Sequence, residues 1–355
     1  MFSLTIKGRG AGFNPPNRFE EISVGPPPED IAQYFEEPDL ERKIPTKYYM
    51  DNTKTILSNN DSPDIGFRYS INPYRGCEHG CIYCYARPSH EYLGFSSGMD
   101  FETKILVKMD APKLLAEELR KPSWEPQVVA FSGNTDCYQP VERKLEITRK
   151  CVEVFLKFRN PFGMITKNAL VQRDIDLLKE LSSMNLVCVT VSITSLDNEL
   201  IRKMEPRTSA PHKRLETIEV LAKNGIPVGV NAAPIIPGLT DVEIPAILKA
   251  ASERGAKWAG HTIVRLSYAL KDLFVDWANR NVPEKAPKII NRIKEVRGGK
   301  LSNSDFGTRM SGEGEIAESI HQLFESSCRR YHLNEERMHL SKAHFTRNAD
   351  QVEMF

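Results

Sequence analysis

Long apolar runs are missing from this 355-residue chain. No stretch approaches the ~18–20 apolar residues of a membrane-spanning helix, which argues against an integral membrane protein. The first residues, MFSLTIKGRGAG, lack the apolar centre of a secretory signal. Neither sign of charge is in excess: 48 Lys and Arg against 47 Asp and Glu leave a net +1. No global field therefore points to nucleic acid, although local patches stay open. Cysteine is scarce and odd in number, seven in all. Such a set in a long chain argues against a disulfide framework and for the reducing cytoplasm. Periodicity is also absent from residues 8–66, which are rich in Pro, Asn, Asp and Glu. They read as an extended arm around the main domain, with a short helix near 29–36; partial disorder is the alternative.

Three of the seven cysteines fall within eight residues: Cys77, Cys81 and Cys84 in YRGCEHGCIYCYA. Three thiolates at C-x3-C-x2-C spacing can hold three irons of a [4Fe–4S] cube and leave the fourth without a protein ligand. An open iron can chelate the amino and carboxylate groups of S-adenosylmethionine (SAM). Gly76 and Gly80 let the loop wrap closely around an inorganic core. Tyr83 and Tyr85 offer flat surfaces for adenine. A structural zinc site is the competing reading, but it needs four ligands, and His79 or His90 would join at spacings unlike a usual finger.

From about residue 68, short apolar runs alternate with amphipathic stretches. The runs lie at 68–72, 127–132, 162–167, 186–193, 227–234 and 258–266, and helical patterns at 111–120, 142–159, 172–184, 212–224, 241–254 and 269–280. Such alternation implies parallel strands joined by right-handed crossovers. Six units are too few to close an eight-stranded barrel, so the expected fold is α/β, a partial (βα)6 barrel of the TIM type. Its boundaries are drawn at 67–281, with the arm over 1–66 and a helical extension over 282–355, helices at 283–297 and 314–331. Ligands of parallel α/β barrels bind at the C-terminal strand ends. The cysteine loop, Gly133 to Asp136, Lys167, Ser192 with Thr194, and Asn231 to Pro234 all fall at such exits.

The same segments resemble a known family. The C-x3-C-x2-C loop, with an aromatic residue before its third cysteine, resembles the signature of the radical SAM superfamily. FSGNTD at 131–136, ITK at 165–167, SITSLDNELIRKMEPRTSAPHKRLE at 192–216 and VGVNAAPII at 228–236 are similar to its spore photolyase-like branch. The resemblance implies a [4Fe–4S] cluster on Cys77, Cys81 and Cys84, and SAM as cofactor. It also implies an external one-electron reductant of the flavodoxin or ferredoxin type. Reductive cleavage of SAM would yield a 5′-deoxyadenosyl radical that abstracts hydrogen from a substrate. SAM contacts are implied for Tyr83, Tyr85, Thr135, Lys167, Ser192, Arg214 and Ala233. Lys167 and Arg214 are the cations for the SAM carboxylate, and Glu205 could orient Arg207 or Arg214.

One departure matters. In photolyases of that branch the segment reads SCTSD, and its cysteine returns a hydrogen atom to the product radical; here Gly133 stands in that place. Cys137 is the substitute donor if its loop swings inward, with a plain buried cysteine as the alternative. Tyr138 could relay a radical. Direct repair of a thymine dimer is therefore not expected, and the substrate stays open. Nucleic acid is one alternative, motivated by the family resemblance and by Arg329, Arg330, Arg337, His339, Lys342, His344 and Arg347 near the C-terminus. A zinc- or cluster-stabilised binding module is the non-enzymatic alternative. Cys151, Cys188, Cys328 and His261 read most simply as core residues.

Overall fold

The computed structural model describes residues 7–19 and 44–348; the helix expected near 29–36 lies outside them. Short strands come first: β1 (Lys47–Met50), β2 (Leu57–Asn59), β3 (Tyr69–Ile71) and β4 (Tyr74–Arg75). Helix α1 (Asp100–Thr103) leads into β5 (Lys104–Val107). Helix and strand then alternate through α2 (Ala111–Arg120), β6 (Val129–Phe131), α3 (Glu142–Leu145), α4 (Ile147–Phe158) and β7 (Phe162–Thr166). Next come α5 (Ile175–Ser183), β8 (Val187–Ser192), α6 (Asn198–Met204), α7 (Pro211–Lys223) and β9 (Val228–Ile235). The last elements are α8 (Ile244–Ser252), β10 (Ala259–Ile263), α9 (Leu270–Asn281), α10 (Ala286–Glu295) and α11 (Gly314–Arg330).

All six expected strands form, and they lie in one sheet of order β10-β9-β8-β7-β6-β3-β2. Every pair from β3 to β10 is parallel, and only β2 runs antiparallel, on β3. The sheet is open, ending on β10 and β2, as a partial barrel requires. Arg309 spans the two ends, donating from Nε to Asp64 Oδ2 at 2.6 Å. The arm is more structured than its composition implied. Its β2 edges the main sheet, and its β1 joins β5 and β4 in a second, three-stranded sheet of order β1-β5-β4. Strands of three or four residues are too short to leave a period in the sequence.

The strand bodies are mostly apolar because one face is buried in the core, while on the other Gly163, Ile165, Cys188 and Thr190 stay partly open. Phe131, Phe155 and Phe162 meet between β6, β7 and α4, with the Phe155 and Phe162 rings stacked at 4.6 Å. Gly229 in β9 exists for a neighbour: a Cβ there would come within 2.2 Å of the Trp258 indole. Asp197 caps α6 by accepting from the backbone N–H of Glu199 and Leu200. Proline occupies the first turn of α2, α7, α8 and α10, where its missing N–H leaves no bond unmade. The helix expected over 142–159 is broken in two, because Glu146 takes a left-handed φ of 53°.

The C-terminal helices cover β10. His261 points outward onto α11, with His321 at 2.7 Å and the Phe324 ring centroid at 4.0 Å, so it is a core histidine. Beyond α11 the chain runs under the barrel: Ser341 donates to Asn185 O, Thr346 to Phe158 O, and Arg347 to Trp124 O at 2.5 Å. Asn185, Phe158 and Trp124 all precede strands, so this basic tail lies at the N-terminal ends of the strands.

Candidate active site

The cysteine loop crosses the opposite face, at the C-terminal strand ends. Gly76 and Gly80 take φ of 77° and 68°, a left-handed region that only glycine enters without strain, and so fold the loop on itself. Cys77 and Cys81 are buried and Cys84 partly so. The three lie within electrostatic reach of one another. Burial pushes all three thiols above the ordinary cysteine range, Cys77 and Cys81 well above it. Such thiols ionise only when a cation joins them, as a coordinating metal does outright. Among the described residues no three Cys, His, Asp or Glu side chains converge on a single-ion site. A mononuclear zinc site would need that convergence, with each sulfur ~2.3 Å from the metal. Three buried thiols on one loop suit a cube that leaves its fourth iron without a protein ligand.

A buried ion pair locks the loop from behind. Arg87, with no exposed surface, donates to Cys81 O (2.9 Å), Gly80 O (3.2 Å), Gly98 O (2.8 Å) and Glu102 Oε1 (2.6 Å). Glu102 in turn accepts from the backbone N–H of Gly10 and Ala11 at 3.0 and 2.9 Å. The segment 8–19 thus straps the loop. Its contact is so close that a Cβ on Gly10 would stand 2.0 Å from Gly80 O. Further along, Asn17 donates to Glu91 O and Phe95 O, and the Arg18 guanidinium sits 3.6 Å over the Tyr268 ring.

Two residues between the first and second thiols tie the loop to the barrel. Glu78 accepts from Val141 N (2.8 Å), Thr46 Oγ1 (3.0 Å), Tyr48 Oη (3.2 Å) and Arg207 (3.1 Å). The Asn168 side-chain oxygen accepts from Leu170 N, so its amide N–H donates to His79 Nε2 at 3.1 Å. The Nδ1 of His79 therefore carries the proton and faces Asp136 Oδ2 at 3.5 Å. Asp136 also accepts from Lys167 N and Thr166 Oγ1, both at 2.8 Å, joining the β6 and β7 exits.

Between the thiol loop and the β8 and β9 exits lies a second buried pair. Arg214 donates to Glu205, to Thr208 Oγ1, to Ser209 O (2.7 Å) and to Ser192 O (3.1 Å). Glu205 accepts from the Tyr83 hydroxyl, which also meets Thr194 Oγ1 at 3.1 Å. Burial raises the Glu205 carboxyl, but the Arg214 and Lys167 cations outweigh it and hold its pKa at about 2. Lys167 Nζ lies 3.4 Å from Ala233 O and 5.9 Å from the Tyr83 ring centroid. Thr194 donates to the same carbonyl at 2.9 Å. Ser192 is buried at the end of β8, with no hydrogen bond to its hydroxyl among the described residues. Thr135 uses its hydroxyl on Tyr74 O (2.7 Å), and the exposed Tyr85 donates to Gly133 O (2.6 Å).

Most of the expected residues therefore gather on one face: the three cysteines, Tyr83, Tyr85, Thr135, Lys167, Ser192, Arg214 and Ala233. Arg214 arrives with its guanidinium fully engaged, as the strut behind Glu205 and Tyr83. Cys137 and Tyr138 do not join them. Cys137 is wholly buried in the main core, with Thr148 bonded to its carbonyl, and Tyr138 turns its hydroxyl to Asp174 Oδ2 at 2.9 Å. The loop after β6 faces the site with its backbone and sends these side chains beneath α4. Nor is there room at the position between: a Cβ on Gly133 would lie 2.9 Å from Ser70 Cβ. Asp136, Glu78, His79, Arg87 and Glu102 were not anticipated as loop supports. Asp136, Glu78 and His79 stood inside quoted motifs, whereas Arg87 and Glu102 carried no local signal.

The radical SAM superfamily profile matches residues 71–251. The chain is 35% identical over 234 residues to the uncharacterized protein Rv2578c of Mycobacterium tuberculosis, covering 65% of this chain and 68% of that one. It is 32% identical over 178 residues to the uncharacterized protein MJ0683 of Methanocaldococcus jannaschii, covering 50% and 64%. Among solved structures, spore photoproduct lyase complexed with dinucleoside spore photoproduct superposes with a TM-score of 0.56 at 16% identity, over 80% of this chain and 78% of that one. At that identity the likeness is one of fold.

Proposed function

The chain belongs to the radical SAM superfamily, whose cofactors are a [4Fe–4S] cluster and SAM, and we propose that Cys77, Cys81 and Cys84 hold that cluster in a working SAM-cleaving enzyme. The observation carrying this reading is the trio of buried thiols pooled on one strapped loop, with a lysine and a buried Arg–Glu pair alongside. When bound, the two groups supply one-electron cleavage of the sulfonium and hydrogen abstraction from a substrate C–H bond. The residues of the chain bind and orient. Lys167 offers its ammonium to the SAM carboxylate. Ser192 offers its hydroxyl to the ribose, and the Ala233 carbonyl holds Thr194 and the Lys167 ammonium beside the site. The Thr135 hydroxyl still has lone pairs beyond its bond to Tyr74. Arg214 is a positioning residue: it fixes Glu205, and Glu205 fixes the Tyr83 ring beside the thiols. Buried walls on the loop side exclude water and oxygen.

Two sequence-derived roles lose their support. Cys137 and Tyr138 are buried in the main core, so hydrogen return is assigned to neither. The basic tail lies at the far end of the barrel from the thiols, so the nucleic-acid alternative rests on the family resemblance and not on the tail. After anaerobic reconstitution and reduction, the protein should convert SAM to 5′-deoxyadenosine, and Cys81→Ala should abolish the product. A cluster-loaded protein that leaves SAM intact under strong reduction overturns the proposal.

A further inference from the structure

The thiol loop is buried, so an electron reaching it must cross a layer of protein. At Glu78 and His79 that layer is a single side chain deep. Tyr48 and Arg207 contact Glu78 directly, at 3.2 and 3.1 Å. The Arg207 N–H donates to His79 O at 3.2 Å, and Asn168 reaches the His79 ring at 3.1 Å. A body seated on Tyr48, Arg207 and Asn168 would thus be one side chain away from the loop.

This thin face has its own surface chemistry. A cavity of 260 Å³ opens there, lined by Pro140, Arg143, Asn168, Leu170, Arg207, Thr208 and Ser209. It holds two guanidinium groups and no carboxylate. The Arg143 side chain is exposed and has no partner among the described residues. Arg207 is shared with Glu78, and Arg9 adds a third cation within electrostatic reach of Arg207. Beside the cavity runs β1, an edge strand whose four residues are all exposed, with Tyr48 at 51% and Met50 at 63%. Tyrosine, methionine and arginine are the types enriched where proteins meet, and lone large apolar side chains on an open edge ask for cover. Glu78 offsets Arg207, and Glu102 lies within reach of Arg9, so the charge left over on this face is the positive charge of Arg143.

We propose that the face formed by β1, Arg143 and Arg207 docks an acidic one-electron carrier protein, and that the 260 Å³ cavity takes one of its carboxylate side chains. The inference rests on the radical SAM reading, since it supplies that enzyme with its electron. Positive charge around an aromatic and methionine strand steers an anionic partner and sets its orientation. The cavity then fixes register through a charge-assisted bond to the unpartnered Arg143.

The test is direct binding, which does not depend on SAM cleavage. Cluster-loaded protein is titrated with a bacterial flavodoxin at low ionic strength, as wild type and as Arg143→Glu and Tyr48→Ala. The expected result is a Kd raised at least ~10-fold by R143E, weaker binding for Y48A, and affinity that falls with added salt, as screening requires. An unchanged Kd in R143E, or wild-type protein that does not bind at low salt, overturns the proposal. So does inorganic phosphate binding that R143E abolishes while flavodoxin binding persists, because the cavity would then be a small-anion site. A parallel assay with photoreduced 5-deazaflavin separates the two readings. Failure to cleave SAM there removes the enzyme assignment and leaves the docking result standing.

Discussion

At the residue scale, buried charges do the positioning, and their removal should be costly. Glu205 is enclosed with Arg214, and both side chains are wholly buried. Taking away one partner strands the other charge, a loss of about 3–5 kcal/mol in other buried pairs. Glu205→Gln should therefore lower the urea midpoint by an amount of that order. Because Tyr83 loses its anchor with it, the KM for SAM should rise in any fraction that stays folded. A second residue reports through pH. His321 Nε2 donates to Ser311 O at 3.1 Å, so its Nδ1 accepts from His261 Nε2. Burial, and then the His321 ring, lower the His261 pKa to about 4. An unfolded histidine titrates near about 6.5, so on acidification the unfolded chain takes up its proton first. Stability should be insensitive to this group above about pH 6.5 and should decline between about 6.5 and 4. Melting temperatures measured down that range should show the decline, and His261→Phe should reduce its slope, with His90, which burial also lowers to about 4, supplying part of the remainder.

At the scale of elements, the strap and the thiol loop act as one unit. Gly10 and Gly80 touch backbone to backbone, and Glu102 bonds the strap to the same arginine that holds two loop carbonyls. Gly10→Ala adds one methyl where only 2.0 Å is open, and the obstacle is main chain that cannot rotate aside. The expected outcome is a folded barrel, with an unaltered far-ultraviolet spectrum, that retains less iron and sulfide after anaerobic reconstitution. Equal cluster content in G10A and wild type would show that the strap is dispensable for the loop. Glycine at 133 answers a different demand. Its backbone carbonyl holds Tyr85, and Ser70 fills the space where a side chain would go.

At the scale of the whole molecule, much was legible before any coordinates. The six strands of the main sheet were visible as apolar runs, because each buries at least one face in the core. The polar residues at their exits then fell on one face by topology alone. The three cysteines were legible because their spacing is local. What stayed hidden depends on contacts between distant parts of the chain. Arg87 and Glu102 meet Gly10 and Ala11 across some ninety positions, and no pattern along the sequence marks such a meeting. Cys137 and Tyr138 sit in a motif that faces the site, yet their side chains turn into the core, a matter of one rotation of the loop. The basic tail could be counted in the sequence but not located. Only the sheet order shows that it underlies the end opposite the thiols.

The overlap of residues 8–19 with the loop at 76–87 sets an order of events during biogenesis. The strap is synthesised well before the residues it covers, so it must wait for them, and it seats by closing over the cysteines from outside. Iron and sulfide delivered before that closure meet an open cradle; delivered afterwards, they meet a sealed one. With the cluster held as proposed, maturation is a race between metal supply and the settling of residues 8–19.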